Sequence, residues 1–186
     1  MDSLNYGQGW MWDEGAWWYA APISALSVND NCIDFYVDPG EAGQPAKVDM
    51  VPETEYVHLI NQSTTVHDTI DFQKFVIDRD WAGKTNLFTL SGEVLETAST
   101  DTFQRNIFDP VLFSGTVFKE QLSKYGVDVK KIAVSTGVSN GSLITVHISD
   151  SLLYSAHNLM HESDNLTAEL FTKTMALSDT TTGNWK

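Results

Sequence analysis

A change of residue pattern at Asp109-Pro110 divides this chain into two kinds of material. Upstream, TEYVHLINQ, TIDFQKFVID and KTNLFTLSGEVLE are runs of β-branched and aromatic residues, the composition of half-buried strands. DPGEAGQPAKV supplies Pro and Gly punctuation between them. SALSVNDNCIDFYV reads as two short strands around Asn29-Asp30-Asn31, residue types that tolerate turn conformations, and so as a hairpin. The first hundred residues are therefore expected to be mainly β.

Asp109 has the short acceptor side chain of an N-cap, and Pro110 suits the first helical position because its missing N–H would have no partner there. Val111, Phe118, Leu122 and Tyr125 then share one helical face, and Gly126 is placed to end the helix. Further on, VDVKKIAV and SLITVHI read as strands. SLLYSAHNLM and NLTAELFTKTMA read as helices, with His161-Glu162-Ser163-Asp164-Asn165 between them. The fold class expected is α+β, with no internal repeat and no low-complexity tract.

Composition narrows the function. Asp and Glu number 25 against 11 Lys and Arg, for a formal net charge of -14, and the one basic doublet is Lys130-Lys131. A phosphate backbone is held by clustered cations that displace counterions, so no nucleic acid is expected as a partner. Cys32 is the single cysteine, which excludes an intrachain disulfide and a cysteine-based metal cluster. His157 and His161 stand at the helical spacing a zinc site uses, without the HExxH arrangement. They are read as two solvated helix residues.

No apolar run approaches the roughly 20 residues of a membrane span, and MDSLNYGQGWMWDEGAWWYAAP lacks the basic start and apolar stretch of a signal peptide. Trp10, Trp12, Trp17, Trp18 and Tyr19 crowd that segment. Large amphipathic rings serve either a packed corner or a binding surface, and core packing is the expectation. A sugar-stacking surface would instead show exposed indoles in line.

Ser163-Asp164-Asn165 is the S-D-N element that acyl-serine enzymes combine with S-x-x-K and K-T-G. An isolated S-D-N also serves simply to cap the helix that follows. Its context extends the likeness: HESDNLTAELFTKTMA resembles the SxN segment of the D-Ala-D-Ala carboxypeptidase family of low-molecular-mass class C penicillin-binding proteins. GQGWMWDEGAWWYAAPISALSVNDNCIDFYVDPG resembles that family's Gly-x-Gly-Trp-x-Trp-Asp stretch with its small-residue run, strand and Asn-centred turn. DPVLFSGTVFKEQLSKYGVDV and the ending TTGNWK are similar as well. Between about residues 45 and 100 the resemblance rests on order and length alone.

The resemblance implies a serine β-lactamase/transpeptidase-like catalytic domain interrupted by β-rich inserted domains. Residues 1–148 would be inserted material, and residues 149–186 a helical slice of the catalytic domain carrying S-D-N. The chain would then be an internal piece of a longer protein. No lysine has a serine three positions before it; Thr116-Val117-Phe118-Lys119 is the nearest imitation. Lys84-Thr85 runs into Asn86 and Lys173-Thr174 into Met175, so K-T-G is missing too.

What the resemblance implies for chemistry is acyl transfer. The S-x-x-K serine attacks the penultimate D-Ala carbonyl with its lysine as base. Ser163 bridges that lysine and the leaving nitrogen, Asn165 holds the substrate's backbone amide and helps orient the lysine, and Asp164 points away and stabilises the loop. The implied partners are the peptidoglycan stem peptide and β-lactams, with no metal or organic cofactor, in the bacterial cell envelope outside the cytoplasmic membrane. Alone, the chain would be inactive. The alternative from another class is a non-catalytic envelope binding or scaffold module whose S-D-N is structural.

Overall fold

The computed structural model describes residues 14–68, 70–135 and 142–179. It is an α+β arrangement. β1 (Cys32–Asp38) is the hub, because its CIDFYVD sequence places Cys32, Ile33, Phe35 and Val37 in the interior. It pairs antiparallel on one side with β2 (Lys47–Val51) and on the other with β8 (Asp101–Asn106), so that Phe35 lies between Met50 and Phe103. A second sheet has the order β3 (His58–Asn61), β6 (Leu87–Ser91), β5 (Val76–Arg79), with β3 parallel and β5 antiparallel to β6. β4 (Thr64–Val66) and β7 (Glu93–Leu95) form a short parallel pair.

The sheets meet through aromatic packing, with the rings of Phe35 and Phe88 5.0 Å apart and both fully buried. α1 (Pro110–Lys124) closes this core with Phe113 and Val117. The Asp109 side chain accepts from the Leu112 N–H at 3.1 Å, and Gly126, at φ 81°, carries the chain out in the left-handed conformation. Two side chains lock the helix to the sheets. The Tyr56 hydroxyl is shared between the carbonyls of Phe108 and Asp109, both at 3.1 Å, and Glu120 accepts from the Thr54 hydroxyl at 3.1 Å and the Glu55 N–H at 2.8 Å.

Four local expectations are corrected. The helix at Pro110 forms, but its buried face is Pro110, Phe113, Ser114 and Val117, whereas Val111, Phe118 and Tyr125 are exposed and Leu122 is half-buried. Two apolar stripes compete on this helix, and the one carrying Phe113 and Val117 joins the core, with Ser114 beside it donating to the Leu26 carbonyl at 3.3 Å.

The hairpin over residues 24–37 does not form. Both edges of β1 are already taken by β2 and β8, and Asn29, Asp30 and Asn31 coil through φ values of 49°, 52° and 56°. Asn31, fully buried, anchors that left-handed turn by donating to the Pro22 carbonyl at 2.8 Å. VDVKKIAV and SLITVHI form no strand among the described residues, and Ile144 and Ile148 are 96% and 86% exposed. A strand needs a neighbour's backbone groups, and none of the described residues offers them.

Of the aromatic cluster, Trp17 and Trp18 are not core, while Tyr19 is half-buried. Trp17 and Trp18 are 48% and 39% exposed at a 3₁₀ turn over Trp18–Ala20, and the small residues Ala20 in that turn and Ala16 and Ala21 flanking it take the buried positions. Trp10 and Trp12, like the TTTGNWK ending, lie outside the described residues. α2 (Leu152–Glu162) and α3 (Asn165–Asp179) complete the described chain. No helix among the described residues is long and apolar enough to cross a membrane.

Candidate functional site

α2 begins at Ser151, whose side chain accepts from the Tyr154 N–H, and ends in the S-D-N element. Ser163 closes the helix in the left-handed conformation, φ 56° and ψ 43°, its N–H bonded to the Leu159 carbonyl. A β-carbon in that conformation crowds the following carbonyl at a cost of about 1–2 kcal/mol. Strain of this kind persists where the surroundings hold it in place, and it gathers at functional sites. The Ser163 side chain is exposed and makes no hydrogen bond to the described residues.

Asp164 starts the next helix. Its carboxylate accepts from the Thr167 N–H at 3.3 Å and its carbonyl from the Ala168 N–H at 3.2 Å, an N-cap that turns the acid toward its own helix. Asn165 is the first residue of α3, and its Nδ2 donates to the backbone carbonyl of Tyr19 at 3.0 Å. Leu166, next in line, is buried and pins the start of α3. Three consecutive residues therefore do three different things: Ser163 faces solvent, Asp164 caps, and Asn165 reaches across to the β-rich part of the chain.

The loop has an acidic neighbour. The Asp30 carboxyl titrates above the ordinary carboxylate range, first because water is displaced around it and then because the charges of Asp164 and Asp34 lie close. Cys32, below that turn, is fully buried, and burial together with the charges of Asp30 and Asp34 pushes its thiol up. A thiol so raised is a poor nucleophile.

His157 and His161 stack at 6.0 Å, and His161 contacts Glu162 at 2.6 Å. No group of three or more metal-ligating side chains exists among the described residues. A separate cleft of about 520 Å³ lies on the β-rich part, lined by Trp17, Trp18, Phe75, Trp81, Phe103 and Arg105. The Arg105 guanidinium sits 4.3 Å from the Trp17 ring and donates to the Ile77 carbonyl at 2.8 Å.

Sequence reasoning singled out Ser163 and Asn165, which the fold puts at the two ends of one tight turn. It missed the contact made by Tyr19. A backbone carbonyl has no residue signature, and a separation of 146 positions between Tyr19 and Asn165 leaves no local pattern to read.

A family model for the D-Ala-D-Ala carboxypeptidase 3 (S13) family matches residues 1–186. A D-alanyl-D-alanine carboxypeptidase of Actinomadura sp. (strain R39) is 27% identical over 194 residues, taking in 99% of this chain and 36% of that protein. Among solved structures, penicillin-binding protein 4 of Haemophilus influenzae superposes with a TM-score of 0.69 at 17% identity, over 91% of this chain and 37% of that one. A second structure of that protein, in complex with a β-lactam, gives a TM-score of 0.65 at 15% identity, over 87% of this chain and 36% of the other. The chain thus spans about a third of the length of the relatives it matches.

Proposed function

Because this chain belongs to the D-Ala-D-Ala carboxypeptidase 3 (S13) family, whose members are serine D-Ala-D-Ala carboxypeptidases, we propose that it contributes the second active-site motif of such an enzyme. Residues 1–148 form the β-rich accessory part, and residues 149–186 belong to the catalytic domain. The substrate is the stem peptide of peptidoglycan, which places the whole protein outside the cytoplasmic membrane. The chain alone is inactive, since it carries neither S-x-x-K nor K-T-G.

One observation carries this reading: Ser163 and Asn165 flank a strained turn with Ser163 Oγ and Asn165 Oδ1 both unpartnered among the described residues, while Asp164 is spent on the helix cap. A purely capping S-D-N needs only Asp164. Neither that cap nor the left-handed end of α2 at Ser163 calls for an open hydroxyl on Ser163 or an open amide oxygen on Asn165.

In the assembled site the nucleophilic serine of S-x-x-K forms a C–O bond with the penultimate D-Ala carbonyl, and the C–N bond to the terminal D-Ala breaks. The serine proton passes to the lysine and from there, through Ser163, to the leaving amine. Asn165 offers Oδ1 as acceptor to the lysine ammonium, and its second Nδ2 hydrogen serves the substrate's backbone carbonyl. A β-lactam enters by the same steps, its strained amide standing in for the D-Ala-D-Ala bond.

Labelling by a fluorescent penicillin tests this. The full-length product of the source gene should label, the 186-residue chain should not, and Ser163→Ala and Asn165→Ala should each slow labelling of the full-length protein by about 100-fold or more. Absence of label on the full-length protein would instead favour the non-catalytic envelope module.

A further inference from the structure

The amide of Asn165 is held from outside its own loop. An Asn side chain presents a donor at one end and an acceptor at the other, and the two are told apart by what they face. The partner here is the Tyr19 backbone carbonyl at 3.0 Å, which can only accept. The nitrogen must therefore face Tyr19, and Oδ1 must turn away from it.

The carbonyls on either side of Tyr19 are gathered by one buried residue, within a segment also held by its own 3₁₀ turn and a bridge between Trp17 and Arg105. Asn106, fully buried at the end of β8, has its Nδ2 2.7 Å from the Trp17 carbonyl, 3.0 Å from that of Ala20 and 3.2 Å from that of Gly15. Its backbone N–H donates to the Ala16 carbonyl at 2.8 Å. Its Oδ1 accepts from Arg79 Nη2 at 2.8 Å, which sets the amide's own orientation, and Arg79 is in turn anchored by Nη1 on the Thr85 carbonyl at 3.0 Å. Arg105, the neighbouring strand residue, supports the Trp17 ring.

Carbonyls 15, 16, 17 and 20 thus converge on Asn106, and that of Tyr19 is the one in this stretch that bonds to α3. Buried polar groups that satisfy one another in this way define one geometry, since any rearrangement strands several of them without partners.

We propose that Asn106 is a positioning residue for acyl transfer: it clamps residues 15–20 so that the Tyr19 carbonyl holds the Asn165 amide with Oδ1 turned toward the lysine of the S-x-x-K motif. This rests on the reading of Ser163 and Asn165 as members of the acylation site. It gives the β-rich part of the chain a function in catalysis. That part sets the orientation of a side chain belonging to the other part.

The test is a double-mutant cycle in the full-length protein, following the second-order rate of acylation by a fluorescent penicillin, with thermal melting of each variant alongside. Asn106→Ala should lower the acylation rate by about 10-fold to 100-fold, the scale on which misplacement of a catalytic group acts. In the Asn165→Ala background the same change should lower it less than about 2-fold, because there is no amide left to orient.

Equal losses in both backgrounds would mean that Asn106 supports the fold alone, and would overturn the proposal. Asn165→Ala labelling as fast as wild type would overturn the underlying reading instead, a result separate from the first. Should Asn106→Ala not fold, Arg105→Lys, which removes the planar group under Trp17 and keeps the charge, goes through the same cycle: a loss confined to the Asn165 background supports the clamp, and equal losses in both backgrounds overturn it.

Discussion

Phe113 and Phe118 lie on the same helix, and truncating each to alanine separates burial from helix propensity. Both changes gain the same propensity, about 0.5 kcal/mol or less. Phe113 is fully buried, and its ring is 5.8 Å from that of Tyr56. Its loss should cost about 3–5 kcal/mol for the transfer and cavity terms, with about 0.5–1.5 kcal/mol more for the aromatic pair. Phe118 is 64% exposed, so roughly a third of a burial worth about 1.5–3 kcal/mol is at stake, and the propensity gain offsets much of that.

The net expectation is about 4 kcal/mol for Phe113→Ala and about 0.5 kcal/mol or less for Phe118→Ala. Urea unfolding of the 186-residue chain, followed by far-ultraviolet circular dichroism, reads both. With a slope of about 2 kcal/mol per molar, the midpoints should fall by about 2 M and by less than about 0.3 M respectively. Equal shifts, or a larger one for Phe118→Ala, would refute the assignment of the buried face.

Three other perturbations have definite signs. Burial, and then the charge of Asp109, push the Tyr56 hydroxyl from 10.0 up to about 12, so the folded state favours the neutral phenol. Its contribution is whole below pH 10 and is lost as the pH rises from about 10 through 12; Tyr56→Phe should flatten that part of an alkaline stability titration, and an unchanged profile would contradict it. Gly92 has φ 88°, and a β-carbon there would run into the Lys74 carbonyl oxygen, so Gly92→Ala should lower stability by about 2 kcal/mol or more in the same urea assay. Asp109 caps α1 from a left-handed backbone at φ 55°. Asp109→Ala should cost about 2 kcal/mol, and Asp109→Gly, which relieves the backbone, clearly less; equal costs would show that the conformation is unimportant.

Local chemistry was readable where one residue type decides the outcome. Asp109-Pro110 with Gly126 fixed the ends of α1, and alternation in CIDFYVD fixed β1. What escaped was decided by partners far away in sequence. The choice between the Phe113 and Phe118 faces depends on which stripe the sheets can approach. The hairpin at Asn29-Asp30-Asn31 depends on whether β1 has a free edge, and β8, about 70 positions on, takes it. Runs such as SLITVHI have strand composition but find no ladder among the described residues.

The site divides the same way. S-D-N and its context were legible as three letters with a resemblance behind them, and the cap by Asp164 follows from residue type. The carbonyl clamp centred on Asn106 was not, because an Asn ending a strand-like TFQRN run carries no mark of the four carbonyls it holds. The indoles of Trp17 and Trp18 were misjudged for a related reason: large rings suggest core, but the neighbouring alanines fit the available space better.

Locating the acylated residue puts the acyl-serine reading at greatest risk. The full-length product of the source gene is treated with penicillin, digested and mapped by mass spectrometry. One penicilloyl adduct is expected, on a serine outside these 186 residues that is followed three positions later by lysine, with Ser163 unmodified. An adduct on Ser163 or any other residue of this chain, or none at all, would contradict that reading.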